Sequence, residues 1–328
     1  MSLARRPVLV APDSFKGSLS ANEVARAIAC GLDAGGWVGD IAPLGDGGEG
    51  TASVLLEMLG GRTEVVQAHD PLGRVVEASF ALLGDGRAVV EVAGASGLEL
   101  VADGERDAEA ASSAGTGELI VAAALAGARH VLVGAGGSAT SDGGAGAIAA
   151  IERAGGLGHA RLTVLCDVRT PFELAAPRFA PQKGADAPAV ARLTRRLDAM
   201  AARLRHDPRG VPMTGAAGGL AGGLWATFDA TLVAGAPFVL DAIDFDRRLR
   251  AAQAVVLGEG RLDETTLDGK VLAEAATRAR QLGVPAHAIV AINDLNRFDQ
   301  RILDLQTIQE ARSERELRTA ATKLARSL

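Results

Sequence analysis

Apolar and polar positions alternate in blocks that change period along the chain. An apolar run from Pro7 to Pro12 is followed by a helical pattern from Ser20 to about Ala34. A strand is expected near Trp37 to Leu44 and a helix from Glu49 to Leu59. Ser20, with Glu23 three residues on, has the capping-box spacing of a helix start. From Glu64 the period shortens. The runs Glu64 to Ala68, Val75 to Leu83 and Ala88 to Ala93 are joined by the turn residues Pro71-Leu72-Gly73 and Gly84-Asp85-Gly86, which predicts an antiparallel sheet.

Further on, helices are expected over Thr116 to Ala126, after Gly143-Gly144, and over Ala189 to Arg205. Strands are expected at His130 to Val133 and Leu162 to Cys166. After Gly235 a strand-helix alternation returns: strands Ala254 to Leu257, His287 to Ile292 and Leu303 to Ile308, with helices Leu272 to Leu282 and Arg315 to Arg326. Five strands in two separated blocks then make one doubly wound sheet, interrupted by an insertion. The expected division is residues 1–62 plus 236–328 as a discontinuous parallel-sheet domain and 63–235 as an inserted α/β domain.

Composition agrees with this class. The chain has 328 residues, 48% hydrophobic, with 41 glycines, enough for two domains with sizeable cores. A net charge of -6 disfavours a nucleic-acid or anionic-membrane partner, which a basic face would serve. Cys30 and Cys166 are far apart and lack zinc-ligand spacing, so a reducing, cytoplasmic setting is expected. Arg5-Arg6 runs directly into the first strand, leaving no room for a signal-peptide core, and no apolar stretch reaches membrane-spanning length.

Charge usage singles out a few side chains. Of 34 basic residues four are lysine, and three of those adjoin a glycine in an expected loop: Lys16-Gly17, Lys183-Gly184 and Gly269-Lys270. A compact ammonium on a flexible stem reaches a buried phosphate where the wide guanidinium fork does not fit. The loop Gly45-Asp46-Gly47-Gly48-Glu49-Gly50 formally matches GxGxxG. Asp46 and Glu49, however, would repel a pyrophosphate unless a hard cation such as Mg²⁺ lies between. A second loop, Gly134 to Gly144, combines Gly136 and Gly137 with the hydroxyls of Ser138 and Thr140 and with Asp142, a set suited to phosphate or to helix capping. A third, Gly258-Glu259-Gly260-Arg261-Leu262-Asp263, follows an expected strand. The spacing of a Walker A loop is absent around Lys270, and so is a GxSxG elbow. The five histidines avoid these loops.

These motifs, with Pro12-Asp13-Ser14-Phe15-Lys16-Gly17-Ser18, Pro181-Gln182-Lys183-Gly184-Ala185 and Gly215-Ala216-Ala217-Gly218-Gly219, stand in an order that resembles the bacterial glycerate kinases across nearly the whole chain. The resemblance implies a discontinuous Rossmann-like or flavodoxin-like domain with an inserted α/β domain and an active site in the cleft between them. It further implies Mg²⁺ and ATP, D-glycerate as acceptor, 2-phosphoglycerate as product, and a monomer or homodimer.

On that basis Lys16, Asp46, Glu49, Asp167 and Lys183 are the expected catalytic residues, Asp46 and Glu49 the metal ligands, and Asp13, Ser14, Arg261 and Asp263 the acceptor contacts. Gly136, Gly137, Ser138, Thr140, Asp142, Glu259 and Lys270 are assigned to the nucleotide. Departures from the family pattern stand at Ser141, Arg169-Thr170 and Asn293-Asp294, and bear on the acceptor. Another small hydroxy acid as acceptor, a nicotinamide-dependent oxidoreductase built on the Gly45 loop, and a non-catalytic sugar-acid sensor are the competing readings.

Overall fold

The computed structural model describes residues 6–268 and 270–328. Residues 1–5 and Gly269, which the sequence pairs with Lys270, lie outside the described residues. In chain order the longer strands are β1 (Val8–Pro12), β2 (Gly39–Ile41), β3 (Gly61–His69), β4 (Val75–Leu83), β5 (Arg87–Glu91) and β6 (His130–Gly134). They continue with β7 (Arg161–Cys166), β8 (Thr231–Ala234), β9 (Ala254–Gly258), β10 (Ala286–Val290) and β11 (Leu305–Glu310). They divide between two compact units. The first comprises Met1–Asp46, Ser53–Met58 and Ala236–Leu328, and the second Gly47–Ala52 and Leu59–Gly235.

The first unit is a five-stranded, wholly parallel sheet in the order β11-β10-β9-β1-β2. Its central strands β1, β9 and β10 are buried at every position, as continuous apolar runs in a sheet covered on both faces should be. Val8, Val10, Ile28, Val256, Ile289 and Leu317 belong to one of its cores. The helix Ala21–Ala34 begins with the expected capping box: Glu23 N–H donates to Ser20 Oγ and Ser20 N–H to Glu23 Oε2. Counting only strands of this sheet, the order reads 2-1-3-4-5, so the chain reverses direction between β1 and β9. In open α/β sheets that reversal opens a crevice at the carboxyl ends of the two strands.

The second unit holds a six-stranded mixed sheet, β3-β4-β5-β6-β7-β8. The first three strands pair antiparallel, and β5 to β8 run parallel. Val90, Leu119, Val131, Val164 and Leu220 fill its main core, while Phe172, Leu193 and Leu197 form a smaller one. The strand Thr231–Ala234 and the helices Gly235–Ala242 and Phe245–Ala251 were not expected from the sequence. The helix expected at Ala189 to Arg205 runs instead from Ala187 to Ala201, started by the Asp186 side chain, which accepts from Ala189 N–H. Among the described residues no helix is long and apolar enough to cross a membrane.

Candidate active site

In the first unit, β1 delivers Asp13 and β9 delivers Glu259 to the reversal point, and a cavity of about 380 Å³ lies there. Asp13, Ser14, Lys16, Asp46, Glu259, Arg261 and Lys270 all line it. Backbone bonds fix the two loops: Asp13 N–H donates to the Gly258 carbonyl, and Ser14 N–H to Asp13 Oδ1 at 2.7 Å. Burial, and then the negative charge of Asp46, push the Asp13 carboxyl up to about 7. Part of the Asp13 side chain still reaches the cavity surface, so surrounding protein rather than full enclosure desolvates it. Glu259 is 5% exposed and accepts from Thr266 Oγ1 at 2.6 Å; burial pushes it to about 7 against the pull of Lys270 and Lys16. Carboxyls held near neutrality beside lysines mark a site rather than a surface.

Two residues expected to contact the acceptor are differently employed. Arg261 is more than half exposed and pairs with Asp294 at 2.5 Å, which occupies part of the guanidinium expected to contact the acceptor. Asp263 accepts from Thr265 N–H and Oγ1, and sits 3.8 Å from Lys270 Nζ. It therefore braces its own turn.

The Gly45 loop gives no dinucleotide cradle in the second unit, to which Gly47–Ala52 belongs. A side chain at Gly47 would meet Leu165 Cβ at 2.8 Å and Gly235 Cα at 2.9 Å, and one at Gly136 would meet Gly48 Cα at 2.7 Å. These glycines serve backbone-on-backbone packing. Thr51, fully buried, accepts from Gly47 N–H with Oγ1. Glu49 is exposed.

The remaining expected residues of the second unit gather at the carboxyl ends of β6 and β7. A cavity of about 260 Å³ is lined there by Gly137, Ser138, Asp167 and Lys183, and by Leu98, Phe179, Gln182 and Gly218. Lys183 is 2% exposed and donates to Ser138 Oγ at 2.8 Å and to the Thr140 carbonyl at 2.5 Å. Burial pulls it down to about 7, opposed by the charges of Asp142 and Asp167. Its short helical turn, Pro181–Lys183, ends at Gly184 with φ +91°, where a side chain would strike the Arg106 carbonyl at 2.6 Å. That is why glycine must follow this lysine.

Asp142 corrects an expectation. Its carboxylate accepts from Ser113 N–H and Oγ and from the N–H groups of Gly144 and Gly146, all at 2.8 to 3.0 Å, so it fixes the loop and the helix Ala145–Arg153 rather than a ligand. Leu98, in a short turn, and Phe179, at the end of the helix Ala175–Phe179, were not foreseen, since a lone apolar residue carries no sequence signal of a site. Leu98 N–H donates to the Gly137 carbonyl, which braces the Ser138 loop.

Among the described residues no group of three or more His, Cys, Asp or Glu side chains is gathered as a metal centre.

Comparison with known proteins covers nearly the whole chain. The family model described as the glycerate kinase family matches residues 8–154 and 152–327. A glycerate kinase of Halalkalibacterium halodurans is 37% identical, spanning 86% of this chain and 84% of its own. The glycerate 2-kinase of Escherichia coli K12 is 36% identical over the same shares. A crystal structure described as glycerate kinase 2 of Salmonella typhimurium LT2 superposes with a TM-score of 0.85 at 32% identity, covering 98% of both chains.

Proposed function

Because the chain belongs to the glycerate kinase family and is a kinase, we propose that it transfers the γ-phosphoryl group of ATP to D-glycerate, giving 2-phosphoglycerate and ADP. The observation that carries the reading is the cavity at the sheet reversal, where Asp13, Asp46 and Glu259 stand with Lys16 and Lys270. Polyphosphate needs cations, and clustered carboxylates need one too. Burial first, and then the charge of Asp46, raise the Asp13 carboxyl, and a hard cation beside Asp46 would relieve the second of these.

Of the expected metal ligands, Asp46 lines this cavity and would hold Mg²⁺, which when bound draws negative charge from the phosphate oxygens, while Glu49 is exposed and does not line it. Lys16 and Lys270 neutralise the polyphosphate as point charges. The acceptor hydroxyl attacks phosphorus in line: the new O–P bond forms as the bond to the bridging oxygen of ADP breaks. The hydroxyl proton passes to Asp167, the carboxylate at the end of β7. Positioning and charge supply the rate, with no covalent protein intermediate. A cytoplasmic enzyme fits a reaction that draws on ATP.

A coupled assay for ADP with Mg²⁺, ATP and D-glycerate tests this, with NMR of the product to read the phosphorylated position. Turnover with D-glycerate and a 2-phosphate product is the expected result. Absence of ADP formation across a panel of small hydroxy acids would overturn it. Lys16→Ala should lower kcat/KM by about a hundredfold or more while leaving thermal unfolding within a few degrees, since the side chain is exposed.

A further inference from the structure

Lys183 is buried against this cavity, with neutral oxygens as its hydrogen-bond acceptors and the charges of Asp142 and Asp167 acting on it. Both acceptors of the ammonium, Ser138 Oγ and the Thr140 carbonyl, are neutral oxygens, and an ammonium has three protons to donate. Burial disfavours the charged form of that ammonium, and a bound anion in the cavity would restore it.

The enclosure is small. About 260 Å³ falls below the range of about 300–1,000 Å³ for pockets that take drug-sized ligands, and Leu98 and Phe179 wall it with apolar surface. A three-carbon acid fits within it.

We infer that this cavity is the seat of the acceptor, a short-chain hydroxy acid whose carboxylate rests on Lys183 and Ser138 while a hydroxyl group faces Asp167. The inference rests on the phosphoryl-transfer reading and reverses part of the expected division, because Ser138 and Thr140 then serve the acceptor and not the nucleotide. The apolar walls set the length of carbon chain that fits. The chemistry recognised is that of a small oxyanion, so free phosphate is the competing source.

The test is calorimetric titration of the intact protein with D-glycerate, with Mg-ATP and with inorganic phosphate. Lys183→Met should weaken D-glycerate about 30-fold or more and leave Mg-ATP within about threefold, as expected for losing one charged hydrogen bond. Ser138→Ala should weaken D-glycerate by about fivefold. Leu98→Trp, which fills the cavity without touching a charge, should block D-glycerate alone, and it decides the matter if Lys183→Met fails to fold.

Loss of Mg-ATP binding with D-glycerate retained would overturn the assignment, as would phosphate binding that depends on Lys183 while D-glycerate binding does not. Failure of the kinase reading looks different: the wild type then forms no ADP with any acid. A wild type that turns over, whose Lys183→Met variant raises KM for ATP and not for the acid, defeats this inference alone.

Discussion

Individual side chains carry the chemistry through their surroundings. Glu259 and Lys183 are both pushed toward about 7, from opposite sides, by the same cause. For Glu259 the folded value lies above the unfolded one, so burial is tolerated while the group is protonated, and stability is lost as pH rises from about 4.5 through about 7. Glu259→Gln keeps an acceptor for Thr266 and removes the ionisation. In chelator and without nucleotide, the variant should gain stability over the wild type as pH is raised from 5 to 8, by roughly 3 kcal/mol at most. Thermal unfolding across that range checks it, and a constant difference would refute it. Lys183 behaves inversely: binding an anion restores the charge that burial suppresses. D-glycerate binding near pH 7.5 should therefore take up protons, read from calorimetry in buffers of different ionisation enthalpy. Lys183 was visible in the sequence because a chain rich in arginine spends a lysine there. Its burial was not, because Lys183-Gly184 reads equally well as a solvated turn.

Elements were legible where the pattern was strong. The runs that became β1, β9 and β10 are continuous and apolar, and the helix after Ser20 announced its own cap. β8 escaped because all four of its positions are exposed or only half-buried, so no alternation marks it. Turns gave the least warning. The segment Gly215 to Gly219 reads as a glycine run suited to an anion or to packing, yet it holds Ala217 and Gly218 in left-handed backbone against the Ser138 loop. A side chain at Gly218 would come within 2.0 Å of the Thr140 carbonyl, the acceptor for Lys183. Gly218→Ala should accordingly cost about 2–4 kcal/mol of stability and raise KM for the acid about tenfold or more. Chemical denaturation with steady-state kinetics would measure both, and a variant normal in each would remove the turn from the site.

The α/β class and the return of strand-helix alternation near the C-terminus follow from periodicity, and family likeness covers the chain from residue 8 to 327. Periodicity alone did not reveal that the antiparallel and parallel strands of the second unit form one sheet, since pairing between β5 and β6 is a matter of tertiary register. Hydrogen exchange on the whole protein gives a test at this scale: D-glycerate should protect residues 137–141 and 181–184, and Mg-ATP residues 13–18 and 258–263. The reverse pattern would exchange the two assignments. The pairing of β1 with β9 has a consequence for biosynthesis. As the chain leaves the ribosome, β1 emerges well before its neighbour β9, which is not complete until residue 258 has been made, whereas the run from Leu59 to Gly235 is nearly complete in itself. The nascent N-terminal strands must wait with an apolar edge uncovered, so slow translation beyond Gly235 would prolong the interval in which chaperones, or other nascent chains, can capture it.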